Sequence, residues 1–431
     1  MQQPTSHKVS AAADSRRDFI RGSSLLLASA VPAALASAAT VSSETFAQAV
    51  QGKPKLRLGV VGCGFRGIAA ASQMLGSTAA EVQLVAVADL FEDRLQQACR
   101  TLKGKFAERF AVEAHQRFTG IHAAQRVFDA DVDVVILATP PSFRPQHVLA
   151  AVEAGKHVIA EKPVAIDPPG IRQFLAGCAL ATEKQLSVSV GLQRRYTPSY
   201  QQTVAQLHAG AIGDLVFARA YSSRPMPRLH ERRKGQTTLE HQLRNWQHCA
   251  WLSGESIVEE HVQSLDVMNW IAQAHPIEAL GVGAARTQAT ATSVAQTSTT
   301  SPSKLEDYVC DFGYASGLRL ISINRWTNGT RAEFSEWVHG THGACDVASG
   351  KIYDRDQKLI WKADGSRAGH QPAIDHFLAS LTQGIPVADG EAAADSTLTA
   401  ILGRTACHSL GRVHWSECAA SNQQLIGVQD S

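Results

Sequence analysis

"LRLGVVGCGFRG", residues 56–67, joins a short apolar run to three glycines, Gly62, Gly64 and Gly67. The run reads as a strand, the residues from the glycines to about Leu75 as a helix, and "VQLVAVAD", residues 82–89, as a second strand. In that setting each glycine has a separate task. Gly62 allows a tight turn, Gly64 lets backbone approach a pyrophosphate, and Gly67 permits close helix packing, while the helix N-terminus offers unpaired N–H groups to phosphate. Asp89 closes the second strand where a carboxylate binds ribose hydroxyls and repels a 2′-phosphate. No arginine immediately follows it, which favours NAD(H) over the phosphorylated form. Phe65 and Arg66, inside the turn, join the cofactor-binding candidates.

The alternation continues outward. "VDVVILATPP" follows a helix near His122 to Phe128, "HVIAEKP" follows one from Gln146 to Ala154, and "LSVSVG" follows one around Gly170 to Thr182. Short apolar runs without polar alternation are strands buried on both faces, so residues 50–192 read as an α/β domain, a doubly wound parallel sheet of Rossmann type. From residue 193 the texture changes to longer alternating strands, "LVFARAYSS", "LEDYVCDFGY", "LRLISINRW" and "AEFSEWVHG". These predict an α+β domain over 193–431 with a large, mostly antiparallel sheet open on one face. "PAIDHFLASLTQG" and "STLTAILGRTACHSLG" read as helices that finish it, and the polar stretch 287–303 as a loop between two strands.

At 431 residues and 44% hydrophobic the chain exceeds one core, and a net charge of +2 supplies no field for nucleic acid or a membrane surface. The eight cysteines show no CxxC pair and no zinc-like spacing, so neither a disulfide framework nor a metal site is expected, and Cys63, Cys178 and Cys407 read as buried thiols. Residues 1–49 stand apart. Arg16 and Arg17 precede Phe19, Ile20 and a short run from Leu25 rich in Ala and Ser, the pattern of a twin-arginine export signal, with small-residue cleavage patterns at Ala36 to Ala38 and at Ala47 to Ala49, of which the second is favoured. The mature chain is then expected to be a periplasmic protein off the membrane, with the twin-arginine export machinery as a transient partner.

A second motif is "GKHVIAEKP", residues 155–163, in which Glu161 and Lys162 close a strand at the edge where an open α/β sheet places its ligand crevice. A lysine there meets both nicotinamide and substrate, and a cationic ring beside it lowers its pKa toward proton transfer. With "ATPPSFRPQH" between the two motifs, "VGLQRRYTPSY" after the last Rossmann strand, "LRNWQHCAWLSGESIVEEHVQSLDVMNW" at 243–270 and the closing "STLTAILGR", the chain resembles the Gfo/Idh/MocA oxidoreductases over nearly all its mature length. The resemblance implies a Rossmann domain followed by an open-faced sheet domain, and substrates that are sugars, polyols or their oxidised forms. It implies that Lys162 is catalytic, that Thr139, Pro140 and Pro141 line the cofactor, and that a cis Lys162 to Pro163 bond is permitted.

In that family a second-domain helix carries an acid and, four positions on, a histidine that works with the lysine. Here the pair falls on Glu259 and Gln263, with Asp266 at the following acidic position. An i, i+4 pair shares one helix face, so both can point at substrate with Val258, Val262, Leu265 and Trp270 toward the core, while His261 is turned away. Gln263 hydrogen-bonds but takes no proton. Lys162 is then the general base, with Glu259 orienting or relaying and Gln263 binding a hydroxyl; the alternative is a redox-silent protein that retains nucleotide and binds a carbohydrate. Arg195, Tyr196, Trp246 and Asp266 complete the substrate-side candidates; Arg194 to Tyr196 suit domain packing equally, and Trp246 and Trp251 suit a core. "RPMPRLHERRKGQ", 224–236, could clamp an anionic substrate, but a basic, proline-punctuated stretch reads first as solvated loop.

Export and NAD(H) together demand a tightly bound cofactor recycled in place, because no free pool is expected outside the cytoplasmic membrane. Two chemistries meet that demand: a ping-pong oxidoreductase, and a redox-neutral NAD-dependent glycoside hydrolase in which transient oxidation acidifies a neighbouring C–H bond. The exposed sheet face makes a homo-oligomer plausible.

Overall fold

The computed structural model describes residues 55–284, 305–329, 331–365 and 369–427. The signal-like segment 1–49 and the loop expected at 287–303 lie outside them.

The first half alternates as expected: β1 (Lys55–Val61), α1 (Phe65–Gly76), β2 (Glu81–Asp89), α2 (Glu92–Lys105), β3 (Arg117–Thr119), α3 (Ala123–Phe128), β4 (Val134–Leu137), α4 (Arg144–Glu153), β5 (His157–Ala160), α5 (Pro168–Glu183) and β6 (Val188–Val190). The strands form one sheet in the order β3-β2-β1-β4-β5-β6, and every pairing is parallel. All four residues of β4 are buried, as a strand covered on both faces requires. β3 is too short to read from sequence. The order reverses between β1 and β4, and the crevice beyond their C-terminal ends is where this topology seats a ligand. α5 starts where Asp167 accepts a hydrogen bond from the Gly170 N–H at 2.9 Å, with proline in its first turn.

The chain continues through α6 (Pro198–His208), β7 (Leu215–Arg224), α7 (Thr238–Arg244), α8 (Ala250–Ser253), α9 (Glu255–Glu259) and α10 (Val262–Ala272) to β8 (Glu278–Ala284). It ends with β9 (Asp307–Gly313), β10 (Arg319–Trp326), β11 (Glu333–Gly340), β12 (Gly343–Asp346), β13 (Lys351–Asp354), β14 (Leu359–Lys362), α11 (Gln371–Gln383), α12 (Gly390–Ser409), β15 (Val413–His414) and α13 (Trp415–Ala420). A nine-stranded sheet runs β14-β13-β12-β11-β7-β10-β9-β8-β15, antiparallel except between β7 and β10. Burial alternates strictly along β10, so one face packs inward and the other carries residues such as Phe217, Val282 and Val309 into solvent.

The two closing helices divide their packing. Ile374, Phe377 and Leu378 of α11 join the apolar cluster of Leu58, Met74 and Ile136, so this helix covers the parallel sheet rather than finishing the second one. α12 ties the two sheets. Its Thr397 hydroxyl accepts from the Val164 N–H at 3.3 Å, and its Arg404 donates to the Ile166 carbonyl at 2.7 Å. All eight cysteines are free thiols; Cys63 and Cys407 are buried, while Cys178 is half-buried.

Candidate active site

The glycine turn has the backbone the sequence calls for. Gly62 sits at φ +96°, where a Cβ would lie 2.7 Å from the Ala138 carbonyl carbon, and a Cβ on Gly67 would strike the Gly62 carbonyl oxygen. Gly64 is different: nothing lies within 4 Å of the Cβ it lacks, and it caps α1 with no side-chain hydrogen bond. Open space in front of an uncapped helix N-terminus fits a pyrophosphate. At the end of β2 the Asp89 carboxylate accepts from the Cys63 N–H at 2.7 Å and the Phe91 N–H at 2.8 Å, which fixes its position, while burial raises its pKa. Gly62, Gly64, Phe65, Arg66 and Asp89 line a cavity of about 650 Å³ together with Thr139, Pro140, Glu161, Lys162, Trp246, Glu259 and Gln263.

In the same cavity Lys162 Nζ donates to the Glu259 backbone carbonyl and stands 3.6 Å from Glu259 Oε1 and 3.9 Å from Glu260 Oε2. The Lys162–Pro163 bond is cis. Burial pushes the Glu259 carboxyl up to about 7 against the pull of Lys162, and its Oε2 is buried without a hydrogen-bond partner. Glu260 is held by Arg224, Nη1 to Oε1 at 2.6 Å. Glu161 is paired to Arg66 at 2.5 Å, and the same guanidinium nitrogen lies 3.3 Å from His370 Nδ1. Burial, followed by the Arg66 charge, lowers the His370 pKa to about 4, so the ring is neutral at pH 7.

Sequence reasoning missed several of these groups. Arg144 is buried and donates to the carbonyls of Thr139 and Pro163, stitching together the two turns that carry Thr139 and Lys162. His147 meets the Thr139 hydroxyl at 3.1 Å and stacks on Phe143, with burial pulling its pKa to about 4. Both lie within or beside the quoted "ATPPSFRPQH", the one signal that marked them. Gln193 lines the cavity with its Oε1 buried and unpartnered. Arg224 opens the basic stretch 224–236, Glu260 had no signal beyond adjacency to Glu259, and His370 had none.

Two corrections concern the substrate side, while His261 is turned away as expected. The single helix expected over 256–270 is broken: α9 stops at Glu259, Glu260 turns to φ −106°, and α10 begins at Val262. Glu259 and Gln263 reach the same cavity through the break rather than along one helix face. His261 faces the sheet, fully buried, its Nε2 2.8 Å from the Ser322 hydroxyl and its pKa driven by burial to about 3. Arg195, Tyr196 and Asp266 do not line the cavity. Arg195 grips Asp266 with its Nε 3.0 Å from both carboxylate oxygens, Ser396 donates to Asp266 at 2.8 Å, and Asp266 is only 1% exposed. The Tyr196 hydroxyl donates to Asp389 at 2.6 Å. These residues hold helices together, because their polar atoms are consumed there. Gly67 and Pro141 also stand off the cavity and serve packing and the turn into α4. Trp251 packs with Leu252 and Phe91, away from the cavity.

Residues 56–192 match the family described as "Oxidoreductase family, NAD-binding Rossmann fold", GFO_IDH_MocA. An inositol 2-dehydrogenase from Salmonella paratyphi B is 28% identical over 218 residues, 50% of this chain and 54% of that protein. Inositol 2-dehydrogenase 4 from Saccharopolyspora erythraea is 31% identical over 159 residues, 37% of this chain and 43% of that protein. The chain thus spans about half the length of the curated relatives it matches. Among solved structures, scyllo-inositol dehydrogenase from Lactobacillus casei with bound NAD(H) and scyllo-inositol superposes with a TM-score of 0.61 at 18% identity, over 84% of this chain and 100% of that one. Aldose-aldose oxidoreductase from Caulobacter crescentus, complexed with glycerol, does so with a TM-score of 0.64 at 15% identity, over 84% and 100%. At that identity the structures speak to the fold alone, which they share over 84% of this chain. The family match thus lies in the NAD-binding Rossmann domain, where residues 56–192 fit the Gfo/Idh/MocA oxidoreductase model.

Proposed function

We propose that the protein is an NAD(H)-dependent oxidoreductase acting on a secondary hydroxyl, or the matching ketone, of a sugar, polyol or related cyclic alcohol, with the cofactor tightly held and recycled in place. The observation that carries this reading is the Lys162 amine 3.6 Å from the Glu259 carboxylate, in the same cavity as the glycine turn and Asp89. Bound nicotinamide supplies the hydride acceptor or donor. The chain supplies proton handling and orientation. Lys162 takes the hydroxyl proton; Glu259, whose pKa of about 7 lets it exchange protons near neutrality, passes it on, so the glutamine at 263 does not remove the proton route. Glu260, tied to Arg224, keeps a second negative charge near the amine. The unpartnered acceptors Glu259 Oε2 and Gln193 Oε1, with the Gln263 amide beside them, suit a ligand rich in hydroxyl donors. Trp246 offers a ring face in the same cavity. Residues 50–192 are assigned to the cofactor and 193–431 to substrate and assembly, with a homo-oligomer through the open sheet face. The Arg16–Arg17 motif assigns the protein to the periplasm by twin-arginine export.

The experiment is to purify the exported form without added cofactor, assay for co-purified nucleotide, and screen polyols and sugars for absorbance change at the reduced-nicotinamide band. Nucleotide that co-purifies and responds to a polyol supports the reading. Nucleotide-free protein would sink the recycling cycle. Aglycone release with no net absorbance change would select redox-neutral glycoside hydrolysis, and bound nucleotide silent to the whole panel would select a carbohydrate-binding protein.

A further inference from the structure

The excursion between β7 and α9, of which only the stretch 224–236 reads from sequence as solvated loop, is an ordered body. Asn245 stitches it: the side chain accepts from the His230 N–H at 2.7 Å and donates to the carbonyls of His230 and His241, each at 3.0 Å. His241 Nε2 lies 3.0 Å from the His230 carbonyl, and Thr237 and Glu240 form a capping box at the start of α7. This body belongs to the second-domain side of the chain, yet it docks on the Rossmann side at the turn after β2. Arg244 pairs with both oxygens of Asp93, at 3.0 and 2.9 Å, and Arg233 approaches the same carboxylate at 3.5 Å. Two guanidinium groups approach the Phe91 ring, Arg244 at 3.9 Å and Arg94 at 5.1 Å from its centroid. Phe91 also packs with Leu243, Cys249 and Leu252 in a separate apolar cluster. The docking residues Phe91, Arg94, Leu243 and Trp246 are themselves cavity wall, next to Asp89.

We propose that residues 225–249 form a clasp, latched by Asp93 to Arg244 and by Phe91 to Leu243, that closes the adenosine end of the cavity and sets the rate at which nucleotide leaves. Asp89 marks that end, since a carboxylate closing the second strand of a Rossmann fold meets the ribose. A nucleotide seated there leaves only if the clasp lifts off the turn. Because the clasp is bonded within itself, lifting means breaking the latch rather than unravelling a loop. The latch joins charges that are partly solvent-exposed, so salt weakens it. The same excursion runs directly into α9, which carries Glu259, so closing the clasp also seats the reaction end. This inference rests on the retained-cofactor reading and gives that retention its physical means.

The test is nucleotide release, read without turnover. Full-length mature protein is loaded with NADH, diluted into excess NAD+, and followed by loss of bound-nucleotide fluorescence. Arg244→Ala, which loses the ion pair and the contact with Phe91, is expected to raise the release rate about tenfold, and the gentler Asp93→Asn, which loses the ion pair alone, about two- to fivefold. The double variant is expected to release no faster than the faster single one, because both break one latch. In the unaltered protein, raising salt is expected to move the rate toward that of the variants. Release unchanged in Asp93→Asn, with no salt dependence, would overturn the clasp even if Arg244→Ala failed to fold. Rapid release from the unaltered protein, with still faster release from the variants, would instead overturn retention while leaving the clasp standing.

Discussion

Lys162 Nζ touches the Glu259 residue twice, donating to its backbone carbonyl and standing 3.6 Å from its carboxylate. The backbone contact exists because α9 ends at Glu259, leaving that carbonyl without the helical partner it would have in a continuous helix. The helix break therefore both positions the amine and brings the carboxylate beside it.

Lys162→Ala should leave nucleotide binding within a few-fold of normal and lower turnover by about 10² to 10⁴. Nucleotide affinity by fluorescence titration and single-turnover absorbance measure the two effects separately. Turnover within tenfold of normal would move the proton chemistry to Glu259 and Glu260.

Glu259→Gln should act on both pH dependence and stability. If Glu259 relays the proton, the rate of alcohol oxidation rises as pH passes through about 7, and that step should vanish in the variant. For stability, the folded pKa lies above the ordinary glutamate value of 4.5, so the folded state holds a proton that the unfolded chain has released, and stability falls as pH rises from 4.5 through about 7. The variant should therefore be more stable than the parent at pH 8, by up to about 3 kcal/mol, and equal to it near pH 4. Urea melts at the two pH values decide; an identical difference at both would refute the buried carboxyl's role.

The parts of this site that could be read from sequence are those in which chemistry and spacing are local. Gly62, Gly64, Gly67 and Asp89 declare a nucleotide turn because a strand, a turn and a helix fix their relative placement within one short stretch. Lys162 was legible for the same reason, at the end of an apolar strand. Glu259 and Gln263 were correctly brought to one cavity, but the reason given, a shared helix face, was not the one the structure uses, since periodicity reads faces only while a helix is unbroken. His370 against Arg66, Arg224 against Glu260, and Arg244 against Asp93 are pairs of distant residues whose union depends on how the two sheets dock. Polar residues in a sequence do not declare their partners, so Arg195 and Asp266 looked like ligand contacts when each had already spent its charge on the other.

Arg195→Ala should be a stability variant rather than a substrate variant. It leaves Asp266 buried with its charge uncompensated, which costs about 3 kcal/mol or more. A lowered melting temperature with unchanged KM for whatever polyol the screen finds is the expected pair of results. A raised KM at unchanged stability would return Arg195 to the substrate site.

Gln263→His decides whether glutamine marks a changed reaction or a lost one. The side chain faces the cavity beside Glu259, and an imidazole there has room to reach the same hydroxyl. If Glu259 already carries the proton, the added base duplicates an existing route, and turnover should change by less than about tenfold while the pH profile gains an ionisation near that of histidine. If the proton route has been lost, the unaltered protein should be silent toward polyols and the variant should gain turnover by about 10² or more, which would contradict the role assigned to Glu259. The measurement is the pH dependence of nicotinamide reduction in the two proteins side by side, with nucleotide occupancy checked in each.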